Sequence, residues 1–144
     1  MRIAVASDHR GVRVKGLILD QLRGLEHEVI DMGPEESSPV DYPVYASKVA
    51  EAVSNGSVDR GILICGSGIG ISIAANKVHG IRAALCHNAY TAEMARRHND
   101  ANVIAMGGRV VDENTAIEMT RIFLNTDFEG GRHARRVEKL NNIQ

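Results

Sequence analysis

Aromatic side chains are scarce. There is no tryptophan, and two phenylalanines and three tyrosines make up 3% of the 144 residues. Single-stranded nucleic acid is usually gripped by rows of aromatic rings, so that class of partner is disfavoured at the outset. An excess of charge of one sign is missing as well. Seventeen Lys and Arg against eighteen Asp and Glu leave a formal net charge of −1, which gives no general pull towards nucleic acid or anionic lipid. No apolar run approaches a membrane span, and "MRIAVASDHRG" holds no stretch fit for a secretory signal. We therefore expect a cytoplasmic protein with no membrane or nucleic-acid partner. The two cysteines, Cys65 and Cys86, are too few for a disulfide framework and too far apart for a CxxC redox pair. Histidine pairs at metal-ligand spacing such as HExxH are also lacking, and no metal is expected.

What is present is a regular alternation of apolar runs and helical patterns. The length suits one domain, residues 1–144, ending in a helical tail from about 131. Strands are expected at 2–7, 28–32, 61–65, 81–86 and 102–107, the third of them central because it is apolar on both faces. Val14, Leu17, Ile18, Leu22 and Leu25 are spaced for one face of a first helix, and Ala46, Val49, Ala50 and Val53 for a second. Between them "GPEESSPVDYP" (33–43) reads as a loop. Further helices are expected at 70–78, 89–98 and 113–125. Strict β-α alternation implies an α/β three-layer sandwich, with a five-stranded parallel sheet of Rossmann or flavodoxin type. In such folds ligands bind beyond the carboxyl ends of the strands.

Residues able to do chemistry follow those strand ends. They are Ser7-Asp8-His9, then Cys65-Gly66-Ser67-Gly68-Ile69-Gly70, then Gly107-Gly108-Arg109, with Asp41-Tyr42-Pro43 before the second helix and His98-Asn99-Asp100 closing the fourth. All of these can face one crevice. The glycine loop fits neither the dinucleotide fingerprint nor a P-loop, because Ile71 and Ile73 stand where final glycines would and no GK[ST] follows. A phosphatase reading needs an arginine six residues after Cys65, and that position is Ile71. Two readings remain: a loop whose amides meet an anion at a helix N-terminus, or a tight turn that binds nothing. Cys65 likewise reads as base or nucleophile or as a small packed hydrophobe. Cys86, with no such loop, reads as inert core. His27, His79, His87 and His133 look bland. Arg132 and Arg136 lie one turn apart and can meet one phosphate, with Arg135 on another face; the plainer reading is a solvated helix face.

"SDHRG", "DYP", "ICGSGIGISIAANK", "RHNDANV", "GGRVV" and "EGGRHARRV" occur in that order along nearly the whole chain. Together they resemble the ribose-5-phosphate isomerase B family, a sugar-phosphate isomerase group that includes galactose-6-phosphate isomerase subunits. The resemblance implies interconversion of ribose 5-phosphate and ribulose 5-phosphate with no cofactor. It implies Cys65 as the proton-transferring base and His98 as an acid in ring opening, with Asp8 and the Ser67 hydroxyl nearby. Amides from Gly66 to Gly70, Ile69 included, would hold the enediolate oxygen. His9, Arg109, Arg132 and Arg136 would contact phosphate or substrate, and Tyr42 and Asn99 the sugar. It also implies a homodimer or homotetramer whose sites are shared between subunits. Many relatives carry Thr where this chain has Ser67, which keeps the hydroxyl. An allose-6-phosphate or galactose-6-phosphate isomerase, and a non-catalytic sugar-phosphate-binding regulator, stand as alternatives.

Overall fold

The computed structural model describes residues 1–143. Among them, β1 (Arg2–Ser7), α1 (Val12–Arg23), β2 (Glu28–Asp31), α2 (Tyr42–Ser54), β3 (Arg60–Cys65), α3 (Ile69–Asn76), β4 (Ala83–Leu85), α4 (Ala89–Arg97), β5 (Val103–Gly107), α5 (Glu113–Asn125) and α6 (Arg132–Asn141) follow in order. The strands form one sheet in the order β2-β1-β3-β5-β4, with every pair parallel. β3 is central, as its two-sided apolarity requires. Among the described residues no helix is long and apolar enough to cross a membrane.

Side-chain alternation sends the two faces of the sheet to different helices. Ile3, Val5, Ile62, Ile64, Ile104 and Met106 pack with Ile18 and Leu22 of α1, Ala92 and Ala95 of α4, and Met119 and Phe123 of α5. Ala4, Ala6, Leu63 and Ala105 face Ala46, Val49 and Ala50 of α2 and Ile71 and Ala75 of α3. Fully covered side chains such as Phe123, Ile62 and Leu63 each contribute about 1.5–3 kcal/mol on burial. The second face is lined by small residues, so its helices lie close. A Cβ on Gly61 would stand 2.5 Å from Val49 Cγ1.

Three local expectations change. The second helix begins at Tyr42 rather than near Ala46, because Pro43 falls in its first turn, where a missing N–H costs nothing. α1 stops at Arg23 with Gly24 as its cap, so Leu25 leaves the apolar stripe and is 53% exposed, while Leu19 is buried in its place. β4 shortens to three residues at the sheet edge.

α1 also buries a charge. Lys15 Nζ, on a residue 3% exposed, donates to Asp31 Oδ1 at 2.8 Å and to the Pro34 carbonyl, tying α1 to the end of β2 and the following loop. Partial burial by itself raises the Asp31 carboxyl. The Lys15 hydrogen bond, the Gly33 amide and the charges of Lys15 and Arg23 outweigh it, leaving the group below its ordinary 3.8. A carboxyl depressed in the folded state stabilises the fold above its unfolded pKa and loses that contribution as pH falls through the folded value. Asp31→Asn is therefore expected to lower Tm at neutral pH and to flatten the fall of Tm between about pH 5 and pH 3. Thermal melts across that range check it, and parallel acid limbs in the two proteins would count against the pairing.

Candidate active site

The crevice at the carboxyl edge of the sheet is built by three strand ends. After β1, Asp8 is 3% exposed; its N–H donates to the Ile64 carbonyl at 3.0 Å, and its Oδ1 accepts the Arg10 N–H at 2.9 Å. His9 Nδ1 accepts the Val40 N–H at 3.2 Å, which leaves the neutral ring's proton on Nε2.

Cys65 ends β3 and opens the glycine loop. Gly68 sits at φ +79°, and a Cβ there would lie 2.7 Å from the Met106 carbonyl carbon. A Cβ on Gly107 would lie 2.6 Å from both C and O of Ser67. The loop is thus pressed on to the end of β5, where Gly108 N–H donates to Cys65 O at 2.8 Å and Arg109 N–H to Gly66 O at 3.1 Å. This clamp aims the Gly68 N–H at Cys65 Sγ, 3.1 Å away. Cys65 is 5% exposed and packs against the alanine-lined face of the sheet. What sets it apart from Cys86 is the amide contact rather than accessibility. Cys86 is 1% exposed, and burial pushes its thiol up to about 11. It is core, as expected.

The loop leads into α3, whose first turn no side chain caps, although the Ile69 N–H finds Ser67 Oγ at 3.2 Å. α4 and α5 start at the same edge but are closed by Asn88 and Asp112. Uncapped first-turn amides with a partial positive charge are what an anion requires. The Tyr42 ring covers Gly70, where a Cβ would come within 2.6 Å of it. Arg109 and Arg10 flank Gly66, with Cδ atoms 3.8 and 2.9 Å from a Cβ placed there. Arg10 belongs to the "SDHRG" run, whose local pattern does not mark it as a site residue. Its place beside Gly66 arises from the β1–β3 pairing, which no local pattern reveals.

His98 and Asn99 are not in this crevice, contrary to the sequence reading. A helix that follows a parallel strand returns to the starting edge, so helix ends collect where strands begin. Asn102, just after this turn, accepts the Gly61 N–H through its carbonyl and the Arg82 N–H through Oδ1 at 2.8 Å. From Arg60 to Cys65 the central strand climbs roughly 16 Å, and that span separates His98 from the thiol within one chain. Arg132 and Arg136 share the far edge, since Glu129 N–H donates to Arg97 O at 3.0 Å immediately before α6. Both arginines are exposed.

The far-edge turn is held firmly. Asp100, at φ 47°, receives Arg96 Nη1 at 2.9 Å and Arg82 Nη2 at 3.4 Å. Arg96 is 3% exposed and also donates to the carbonyls of Ala101 and Thr126. His133, read as bland, is the second correction. It is 5% exposed and stacks on His98 with ring centroids 4.2 Å apart and planes 10° apart. The signal for its burial was its i,i+4 spacing to Val137, also buried. Burial first, then the charges of His98, Arg132 and Arg136, hold His133 below its ordinary 6.5 against the opposing pull of Glu129.

His98, Glu129 and His133 each offer a ligand atom, all within 4.8 Å of one another. A metal lies in the plane of each imidazole that binds it, so two stacked rings cannot share an ion unless one turns. A groove of about 750 Å³ runs along the same edge between Val78, Ile81, Ala84 and Leu140. It contains neither the thiol nor the glycine loop.

Residues 3–140 match the family model described as Ribose/Galactose Isomerase. Ribose-5-phosphate isomerase B of Escherichia coli is 50% identical over 143 residues, covering 99% of this chain and 96% of its own. A solved ribose-5-phosphate isomerase B from Clostridium thermocellum superposes with a TM-score of 0.96 at 53% identity, covering 98% of this chain and 95% of its own. The Mycoplasma genitalium ribose-5-phosphate isomerase B, solved with bound ribulose 5-phosphate, gives a TM-score of 0.93 at 43% identity, covering 97% and 93%.

The clamp on the loop can be tested with two alanines. Gly107→Ala forces a Cβ against the Ser67 main chain and is expected to cost about 2–3 kcal/mol. Gly16→Ala, in α1 with nothing within 4 Å of the new Cβ, is expected to gain about 0.5–1 kcal/mol. Urea unfolding measures both; a Gly107→Ala protein as stable as its parent would mean that the loop is not pinned to β5.

Proposed function

The chain belongs to the ribose/galactose isomerase family, and from that premise we propose that it interconverts ribose 5-phosphate and ribulose 5-phosphate, with no cofactor. The observation that carries this reading is Cys65 Sγ held 3.1 Å from a loop amide, ahead of a helix that no side chain caps. An aldose–ketose isomerase needs a base beside the C2 proton and donors aimed at the carbonyl oxygen where charge develops. The Cys65 thiolate takes the proton from C2 of the open-chain aldose, leaving an enediolate, and returns it to C1. The Gly66–Gly70 amides and the Ser67 hydroxyl receive the oxygen's charge, and buried Asp8 faces the sugar hydroxyls. His98 donates the proton that opens the cyclic sugar. His9, Arg109, Arg132 and Arg136 bind the phosphate, and Tyr42 and Asn99 bind the sugar. Two free thiols fit the reducing cytoplasm in which we place the reaction.

One chain holds these groups at opposite edges of its sheet, so the reading requires a second copy. A two-fold pairing that sets the loop edge of one protomer against the His98 edge of its partner completes two sites at once. Val44, Ile69 and Ile73, each more than half exposed on neighbouring α2 and α3, provide an apolar surface beside the loop for that contact.

The first test is turnover of ribose, allose and galactose phosphates by the purified protein without added metal. Ribose 5-phosphate is expected to be the substrate, and Cys65→Ala to lose at least about a thousandfold in kcat while still binding it. Turnover retained by that variant would defeat the assignment. The second mixes two inactive proteins, Cys65→Ala and His98→Asn. After unfolding and refolding together they should recover about a quarter of parental activity, because half the dimers are mixed and each has one intact site. A mixture as inactive as its parts would place base and acid in the same chain.

A further inference from the structure

His98 does not stand alone. The His133 ring lies flat against it at 4.2 Å, and Glu129 faces both, with Oε2 4.0 Å from His98 Nε2 and Oε1 3.8 Å from His133 Nε2. The buried His133 Nε2 has no hydrogen-bond partner among the described residues. Such a nitrogen is costly where an aliphatic side chain would fill the space, so packing alone does not explain a histidine here.

We propose that His133 is a positioning residue for ring opening: its stacked imidazole fixes the plane of His98 and so the line along which that ring meets the sugar. The inference rests on the isomerase reading above and extends it to a residue that does not itself touch the sugar.

Two arguments support it. The first is orientation. His98 closes α4 with its side chain 39% exposed, and such a ring would otherwise sample several χ2 settings. An aromatic stack favours the aligned setting by up to about tenfold, which keeps the donor edge of His98 on a fixed line. The second is charge. Two imidazoliums face to face at this distance repel, so both rings are not charged together. His133 is the covered member and the second residue of α6, where the helix dipole disfavours a cation. The groups facing it are His98 at the end of α4, Arg132 and Arg136 from α6, and Glu129 from the intervening loop, whose carboxylate is shared with Arg97 at 3.4 Å. Burial first, then the charges of His98 and the two arginines, disfavour a cation on His133, which makes it a neutral platform for the half-exposed ring that meets the substrate.

In ring opening the C1–O4 bond breaks, O4 takes the His98 proton and the O1 hydroxyl proton leaves to water as C1=O1 forms. His98 is then reprotonated from solvent. Ribulose 5-phosphate is acyclic and needs no such step, so exchange of its C1 hydrogen with D₂O reports the Cys65 step alone. His133→Ala is expected to lower kcat on ribose 5-phosphate by about tenfold or more, with KM within about twofold and C1 exchange from ribulose 5-phosphate unchanged. His133→Phe, which keeps a flat ring, should return kcat to within about threefold of the parent. Exchange that falls in step with isomerisation, Phe no better than Ala, or full activity in His133→Ala would each overturn the inference. A parent protein with neither turnover nor exchange would overturn the isomerase reading, and this inference with it.

Discussion

The polarity of the parallel sheet governs the rest of the molecule. Every strand delivers its last residue to one edge, and every helix that follows must return to the other before the next strand can pair in register. Asp8, Cys65 and Gly107 therefore converge, as do His98, Asn102 and Gly131, but the two sets cannot meet in a single chain. Their separation follows from strand direction and would persist under any repacking of the core. The proposed division of the proton-transfer site between two chains is therefore what this topology makes easiest. Placing His98 beside Cys65 within one protomer would demand a crossover that the α/β fold does not supply.

Within the loop edge, the geometry depends on missing side chains. Gly68, Gly107 and Gly11 stand where a Cβ would come within 3 Å of main-chain atoms. Main chain cannot swing aside as a lysine tip can, so these approaches tie the loop, β5 and α1 to the end of β3. The sulfur and its amide donor are set by the same contacts that close the sheet. Rigidity at the glycine loop thus comes from backbone packing and asks little of side-chain networks, which suits the proposed site, whose donors are themselves backbone N–H groups.

The fold was largely legible because its signals are periodic and local. Alternation of apolar runs located five strands, the two-sided apolarity of "GILIC" put β3 in the middle, and glycine spacing marked the loop. Tyr42, expected in the loop before the second helix, opens that helix, and its ring covers Gly70. What was not legible depended on distance across the chain. His98 looked like a crevice residue because its motif is polar and ends a helix, and the sequence does not say at which edge a helix end lies until connection direction is followed. His133 looked inert because its neighbours in sequence are charged, whereas its partner is a ring on another helix. Leu25 fitted the stripe of α1 by spacing alone, but Gly24 ends the helix before that position counts.

The far edge is rigid for a different reason, and this bears on how two copies could assemble. Arg96 is buried and spends its donors on Asp100, Ala101 and Thr126, while Asp100 adopts a left-handed backbone that aspartate tolerates better than most residues. The turn carrying His98 and Asn99 is therefore ordered in the isolated chain, as is the glycine loop at the opposite edge. Association of two pre-ordered surfaces loses rigid-body freedom but little conformational entropy. A site assembled from two such halves can be as well positioned as one built within a chain. In the proposed pairing each half, with its open α3 amides and its exposed Arg132 and Arg136, is chemically incomplete until a second copy docks.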